Sequence, residues 1–556
     1  MSNFVINQPL ESIDPEIKRL IEMEGERQNR KLIMIPSESA APAAIRESLG
    51  SILQNIYVEG YPDEETRLFS KAQIVDIENQ LLNFRRYSDP RYYKGVEFVD
   101  IIEELARRRC AELFATESIP AEKIFVNVQP LSGAPANNAV YQALIEPGEV
   151  VLGMNLFHGG HLTHGSSVNR SGKLYNVFHY SVAPEKEQID YDQVENLARE
   201  CQPKIIIAGY SSYPWVPDWK RFKEIARSVN AFLFADVSHI AGLIAACVIP
   251  SPVGYADVIT FTTHKSLCGP RGACILSFDQ KISNKIDKAV FPGEQGGPHI
   301  QVIAGMATTF KLARTADFKS YQTQVLKNCA ALTTQLTKRG LRIAYGGTDT
   351  HLANIDCKTI VGRDGTPLSG DMAARILDTA GIVVNANTIP GDKSAFRSSG
   401  VRLGTPWITQ RGLDEKDMVV LADIIADVFH AIEPYSIESS GKIQTRAKVD
   451  FSVFESAKLK LRALSETALS TNEFDKQGYP YFFFTDDFAS RENEPWITFE
   501  ISGEDVSEVM NYCFVDEIEE LKLNNNYQSS IFIKDQVYPC KIAKKEINKF
   551  HLSVEK

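Results

Sequence analysis

The chain has 556 residues, of which 44% are hydrophobic, and a formal net charge of −11. That is apolar material for roughly two to four domains with full cores, which excludes a fibrous or wholly disordered protein. An acidic balance without a long basic block also excludes a general nucleic-acid binder, because neutralising phosphates takes an excess of Lys and Arg. The nine cysteines are odd in number and contain no C-x-x-C pair. They point to a reducing compartment rather than to a disulfide framework or a zinc site, and no metal is expected. Met1 to Ile21 lacks the apolar core of a secretory signal, and no run of about 18 apolar residues offers a membrane span. The expectation is a cytoplasmic protein without a membrane partner.

In chain order, Glu11 to Arg30 carries Ile13, Ile17, Leu20, Ile21 and Met23 at helical spacing among charges, a one-sided stripe of the kind that packs on a partner. Pro36-Ser37-Glu38-Ser39 follows a short apolar run, and Tyr57-Val-Glu59-Gly-Tyr61-Pro62 places a carboxylate between two tyrosines, as in a loop that handles protons. Residues 63–90 differ in texture, and Ile74, Ile77, Leu81, Leu82 and Phe84 predict an amphipathic helix inserted in a loop. Arg91-Tyr92-Tyr93 resumes the chain, and Val99 to Phe114 reads as a helix on which Arg107-Arg-Arg109 forms a solvated face. Ser132-Gly133-Ala134 opens an apolar helix through Ile145, and the free N–H groups of such a turn hold a phosphate.

Short apolar runs then alternate with helical stretches: Glu149 to Met154, Lys204 to Gly209, a helix near Trp219 to Val229, Ala231 to Asp236, Val258 to Thr262 and Ala273 to Phe278. This is the pattern of an α/β domain with a largely parallel sheet buried on both faces. Ser211, Asp236 and Lys265 fall just beyond strand ends, where such sheets bind ligands. A lysine there has a desolvated ammonium and a lowered pKa, which suits it to form a Schiff base. His158, His161 and His164 lie on a Gly-Gly loop with no accompanying Cys or carboxylate cluster, and an imidazole stacked on an aromatic ligand fits them better than a metal. Phe291 to Pro298 is a second glycine-rich loop. A long helical stretch runs on to Leu336, and Leu341 to Ala344, Ala353 to Asp356 and Val383 to Asn385 read as strands of a smaller α/β domain. There Arg402 stands in a strand-like run suited to grip a carboxylate in bidentate fashion. Beyond Pro434 the texture changes again, with strand-like Tyr481 to Thr485, Trp496 to Ile501 and Ile531 to Ile533. The predicted layout is an N-terminal arm over 1–50, a large domain over 51–315, a small domain over 316–436 and an appended α+β module over 437–556.

From about residue 10 to 435 the sequence resembles the serine hydroxymethyltransferase family, pyridoxal-phosphate enzymes of fold type I (aspartate aminotransferase-like). The resemblance rests on Tyr57-Val-Glu-Gly-Tyr-Pro62, Arg91-Tyr-Tyr93, Gly153 to Gly165, Thr262-Thr-His-Lys265, Gly269-Pro-Arg-Gly272, Phe291 to Pro298 and Ser399-Gly-Val-Arg402. It implies interconversion of L-serine plus tetrahydrofolate with glycine plus 5,10-methylenetetrahydrofolate, through an external aldimine and quinonoid of pyridoxal 5'-phosphate. It makes Lys265 the Schiff-base lysine, Asp236 the partner of the pyridinium nitrogen and His161 the residue stacked on the ring. Ser211, His239, Thr262 and His264 would line the cofactor, with His239 also near the substrate. Ser132 and Gly133 would hold the phosphate, aided by Gly296 and Gly297 of a neighbouring subunit. Arg402 and Ser37 would clamp the substrate carboxylate, Glu59 would move the proton, and Tyr57 and Tyr93 of the partner chain would close the pocket. Leu156, Gly160, Leu162, Phe291 and Asn387 would receive tetrahydrofolate. The implied assembly is an obligate homodimer, or a tetramer built from it.

Three positions depart from the family pattern: Ser238 where alanine is usual, Ala134 in place of a serine of the phosphate cup, and Ser39 in place of an asparagine. The 63–90 insertion falls between two of the motifs and is expected to be a lid or a subunit contact. In the appended module, Glu500 to Met510 is similar to the opening of the folate-binding aminomethyltransferase fold, the alternative being an assembly or docking domain. The alternative activity is a folate-independent aldolase or transaldolase on β-hydroxy amino acids, or a hydroxymethyltransferase for another amino acid such as alanine.

Overall fold

The computed structural model describes residues 6–87, 90–394, 397–439, 442–472, 496–502, 526–533, 536–546 and 549–555. Its largest sheet has seven strands: β1 (Phe125–Asn127), β2 (Val150–Met154), β3 (Asn176–Tyr180), β4 (Ile205–Ala208), β5 (Phe232–Asp236), β6 (Val258–Thr262) and β7 (Ala273–Ser277). Their spatial order is β1-β7-β6-β5-β4-β2-β3. The pairs among β2 to β6 are parallel, and β7 runs antiparallel to both of its neighbours. Every residue of β4, β6 and β7 is buried. Runs such as Ile205-Ile-Ile-Ala208 have no polar face to offer water, so the sheet is stable only with helices on both sides. The ends of β4, β5 and β6 therefore lie side by side, and the loops after them carry Ser211, Asp236 and Lys265 to one edge. Gly209 permits this closeness: it takes φ +147°, and a Cβ there would stand 2.0 Å from the Asp236 carbonyl oxygen.

The first long helix, α1 (Pro15–Arg30), is capped by the Asp14 carboxylate and leaves Ile17, Leu20 and Ile21 exposed. The predicted helix over 99–114 forms as α2 (Glu97–Phe114), and α3 (Gly133–Leu144) follows β1. The smaller domain holds an antiparallel sheet, β8 (Leu352–Asp356), β9 (Asn385–Asn387) and β10 (Gly400–Gly404) in the order β9-β10-β8, packed by α4 (Ala316–Lys338) and α5 (Glu415–His430). The strand expected over Leu341 to Ala344 does not form. Ile343 makes a single bridge to Ile355, and Tyr345 turns the chain with φ +68° ahead of Gly346-Gly347. The strand expected over Val383 to Asn385 divides in two: Ile382–Val383 pairs in parallel with Leu32–Ile33, and Asn385 belongs to β9.

This core does not end at residue 436. A hairpin, β11 (Ile432–Ser439) and β12 (Lys442–Val449), leads into α6 (Phe451–Thr467), whose Phe454, Ala457, Leu461 and Leu464 are buried in it. Beyond lies a four-stranded antiparallel sheet of β13 (Trp496–Ser502), β14 (Asn526–Ile533), β15 (Gln536–Glu546) and β16 (Lys549–Glu555), in the order β13-β16-β15-β14. The strand expected over Tyr481 to Thr485 lies outside the described residues, as does most of Glu500 to Met510.

The insertion comprises a 3₁₀ turn (Glu64–Leu68), a short helix (Lys71–Ile74) and an eleven-residue helix (Ile77–Tyr87). What fixes its ends corrects the expectation that Arg107 belongs to a solvated face. Arg107 and Glu103 are both buried, with Arg107 Nη2 at 2.8 Å from Glu103 Oε1 and Nη1 at 3.0 Å from Glu104. Arg91, also buried, donates to Glu103 at 2.7 Å, to Asp100 at 2.6 Å and to the Gly60 carbonyl at 2.9 Å. Gln129 donates to the same carbonyl and to Glu103. Helical spacing puts Arg107 beside buried Cys110 and Phe114 on α2 rather than on its solvent side, and the carboxylates of Glu103 and Glu104 pair with it there. The chain thus leaves at Gly60 and returns at Arg91 through two points clamped together, and the insertion between them packs back on the domain through buried Ile74 and the Arg67–Asp287 ion pair. Burial opposes ionisation of Glu103, yet the two guanidinium groups hold its carboxyl below the usual range. Replacing one member of a buried ion network strands the others, so Glu103→Ala should lower unfolding free energy by about 3–5 kcal/mol in denaturant titration.

Candidate active site

At the edge where β4, β5 and β6 end lies a cavity of about 200 Å³ whose wall includes Gly133, His161, Ser211, Asp236, His264 and Lys265. Lys265 reaches it from the turn after β6. Its carbonyl accepts hydrogen bonds from Ser39 Oγ at 2.8 Å and the Cys268 N–H at 2.9 Å, which fix the backbone. No ion pair among the described residues holds its amine. Burial pushes the Lys265 pKa down to about 8, the Asp236 charge acting against burial and Arg402 and Arg271 adding to it.

Asp236 closes β5 and is 7% exposed. Its Oδ2 accepts from Asn137 Nδ2 at 2.9 Å and from His164 Nε2 at 3.0 Å, and its Oδ1 from the Ser238 N–H at 3.1 Å and the Ser238 hydroxyl at 2.6 Å. Burial disfavours its charge, but the His164 hydrogen bond and the neighbouring imidazoles outweigh that and hold the carboxyl far below the usual range. The expectation that no carboxylate accompanies the histidines is thereby overturned: donor atoms of His161, His164 and Asp236 lie within 4.8 Å of one another. Their lone pairs are already engaged. His164 Nδ1 accepts from the His161 N–H, which puts its proton on Nε2 toward Asp236. His161 Nδ1 pairs with Thr163 Oγ1 at 2.7 Å, and burial lowers the His161 pKa to about 4, leaving a neutral ring over the cavity.

The wall fits pyridoxal phosphate. A primary amine faces the same space as an ionised carboxylate, and the N-terminus of α3 opens on it with Ser132 capping no backbone group. A Cβ on Gly133 would come within 2.9 Å of Thr262 Cγ2, so only glycine leaves room at the first turn. Thr262 Oγ1, His264 Nδ1 and His239 Nδ1 are buried without a hydrogen-bond partner among the described residues, three polar atoms that a polar ligand would satisfy. Burial lowers the His264 pKa to about 4 and also holds that of His239 well below the usual imidazole range. Ser211 Oγ donates to Gly160 O at 2.9 Å, tying the histidine loop to the end of β4.

Arg402, on β10 and 8% exposed, donates from Nη1 to the Ser211 carbonyl and from Nε to Asn385 Oδ1 at 3.2 Å. No carboxylate among the described residues pairs with it, and burial lowers its pKa to about 10. Ser37 is held nearby in chain terms: the Gly404 N–H donates to Met34 O, and a Cβ on Gly404 would meet Pro36 at 2.8 Å. Asn387 donates to Ser212 Oγ at 2.8 Å, and Thr388 to Leu156 O at 3.3 Å, so Asn387, Leu156 and Gly160 belong to one rim, with exposed Leu162 on the next turn.

The remaining site candidates form a separate cluster. Tyr57 donates to Glu59 at 3.1 Å, and the Tyr57 and Tyr93 rings meet edge-on at 4.8 Å. A Cβ on Gly296 would lie 3.2 Å from Glu59 Oε1, and one on Gly297 3.3 Å from the Tyr57 ring. Phe291 packs against Tyr61 and Tyr92. None of these lines the Lys265 cavity, so Phe291 stands apart from the other residues expected to receive folate.

Sequence reading passed over Asn137 and His164 as holders of Asp236, and over His351 and Asn385. His351 is fully buried and stacks on His239 with ring centroids 5.6 Å apart. The available signal was a histidine between Thr350 and the apolar start of β8.

A family model described as serine hydroxymethyltransferase matches residues 10–88 and 84–425. The lowered Lys265 pKa means that its nucleophilic neutral form grows as pH rises and saturates above about 8. Borohydride trapping of added pyridoxal phosphate, mapped by mass spectrometry, should label Lys265 with that profile, whereas an ordinary surface lysine would continue to gain label toward about pH 10.

Proposed function

The chain belongs to the serine hydroxymethyltransferase family, pyridoxal-phosphate-dependent enzymes of fold type I, and from that premise we propose that it transfers the hydroxymethyl carbon of L-serine to tetrahydrofolate, giving glycine and 5,10-methylenetetrahydrofolate, and runs the reverse reaction. The observation that carries this reading is Arg402, a buried guanidinium without a carboxylate partner among the described residues, hydrogen-bonded to a residue of the Lys265 cavity. A buried cation of this kind is matched by an anionic substrate group.

When bound, pyridoxal phosphate supplies a carbonyl for amine capture and a ring that withdraws electrons from the substrate. Lys265 would hold it covalently, and Asp236, kept ionised by His164 and Asn137, would hold the ring-nitrogen proton. His161 would cover one face of the ring, while Ser132 and the N–H groups at the start of α3 would bind the phosphate. Arg402, with Ser37 beside it, would clamp the substrate carboxylate and so orient the bond that breaks.

Glu59 would carry the proton between the serine hydroxyl and folate, with the Tyr57 hydroxyl steadying its carboxylate. The separation of the Glu59 cluster from the Lys265 cavity supports a site built by two chains. In that arrangement a partner copy brings Tyr57, Glu59, Tyr93, Gly296 and Gly297 to the first copy's cavity. The folate rim would be Leu156, Gly160, Leu162 and Asn387 of one chain with Phe291 of the other. No helix among the described residues is long and apolar enough to cross a membrane.

Lys265→Ala should abolish both the visible absorbance of bound cofactor and turnover. Glu59→Gln should retain the absorbance and lose folate-dependent serine cleavage by about 10²–10⁴-fold. Equal loss of cofactor in both variants would refute this division of labour. For the substrate, glycine added to the loaded protein should develop a long-wavelength absorption band only with tetrahydrofolate present. A band of the same size without folate would identify an aldolase instead.

A further inference from the structure

Ser238 lies two residues beyond Asp236, is 8% exposed and contributes to the wall of the Lys265 cavity. An ionised carboxylate offers about four lone-pair positions, and in this chain all four of Asp236 are taken. Two go to Asn137 and His164 at Oδ2, and two to the Ser238 N–H and hydroxyl at Oδ1. A protonated ring nitrogen approaching Asp236 must therefore share or displace one of these donors.

Three of them cannot give way. Asn137 is locked at both ends of its amide, donating to Thr163 Oγ1 at 2.8 Å and accepting from Thr260 Oγ1 at 2.7 Å. His164 is oriented by the His161 N–H on its other nitrogen. The Ser238 N–H is part of the backbone, fixed where β5 ends. The Ser238 hydroxyl alone swings on a single side-chain rotation, and its 2.6 Å contact is also the shortest of the four.

We propose that Ser238 is a positioning residue whose hydroxyl occupies the Asp236 lone pair needed by the cofactor's ring nitrogen, yields it on binding, and so moderates how tightly Asp236 holds the ring. The proposal rests on the pyridoxal-phosphate reading of the cavity. It gives the hydroxyl two duties in sequence. Before binding it satisfies a buried carboxylate oxygen, and during binding it competes with the ring N–H for that oxygen. An alanine at this position has no hydroxyl to yield, so the ring N–H meets an unoccupied lone pair.

The test compares wild type with Ser238→Ala and Ser238→Cys, the thiol being a similar shape and a weaker donor. One net hydrogen bond corresponds to a change of about three- to tenfold in affinity. Equilibrium dialysis should therefore give Ser238→Ala a Kd for pyridoxal phosphate about three- to tenfold below wild type, with Ser238→Cys between them. The cofactor-free alanine variant should melt below wild type, and saturating cofactor should shrink or reverse that gap. Nitrogen-15 in the ring should resonate at a different shift in the two loaded proteins. An unchanged or raised Kd in the alanine variant, or equal melting losses with and without cofactor, would overturn the proposal. Failure of wild type to take up pyridoxal phosphate at all would instead overturn the underlying reading of the cavity, and this proposal with it.

Discussion

An ionised carboxylate at the bottom of an apolar sheet persists only if its lone pairs are satisfied, and Asp236 imposes that condition on everything around it. Its four donors come from three places in the chain: α3 through Asn137, the histidine loop through His164, and the end of β5 itself. Each contact fixes the element that supplies it. With Asn137 in place, the N-terminus of α3 opens on the cavity beside Gly133. With His164 in place, the turn that starts at His161 sets that ring over the same space. Gly209 lets β4 approach β5 closely enough for Ser211 to join them. The cavity is thus the space left when three elements converge on one charge.

Much of this edge was legible in the sequence, because fully buried parallel strands read as short β-branched runs and their last residues mark where ligands sit. Asp236 and Lys265 were found that way, one at the end of β5 and the other in the turn after β6. The holders of Asp236 were not, since Asn137 lies inside a helix and His164 on a loop, and only tertiary structure brings either to β5. Arg107 was misread for a related reason: a cation in a charged run reads as solvated unless carboxylates such as Glu103 and Glu104 are seen to pair with it beside the apolar stripe. Leu341 to Ala344 failed as a strand because Tyr345-Gly-Gly turns the chain before a ladder can form. The smaller core runs on through α6, whose apolar positions looked like part of a separate module in a sequence without partners to place them against.

The clamp between Arg91, Glu103 and Gly60 explains how an insertion can sit next to a loop proposed to carry a proton without disturbing it. Lengthening a surface loop costs little entropy when its ends are already held together, and here they are held by buried, charge-assisted hydrogen bonds. The same clamp fixes the backbone around Glu59, whose carbonyl accepts from the Tyr92 N–H at 3.1 Å, while its side chain remains outside with Tyr57. Rigid backbone with an outward carboxylate is what a residue needs if it is to serve a site completed by another copy.

Electrostatics then tie Arg402 to the Lys265 cavity. Arg402 depresses the pKa of Lys265 and adds to the same effect on His161, His239 and His351, in every case behind burial itself. The Arg402 guanidinium, which no carboxylate pairs among the described residues, is therefore part of what keeps the nearby bases neutral. A carboxylate seated on Arg402, as proposed, would oppose that field and make the Lys265 amine more basic.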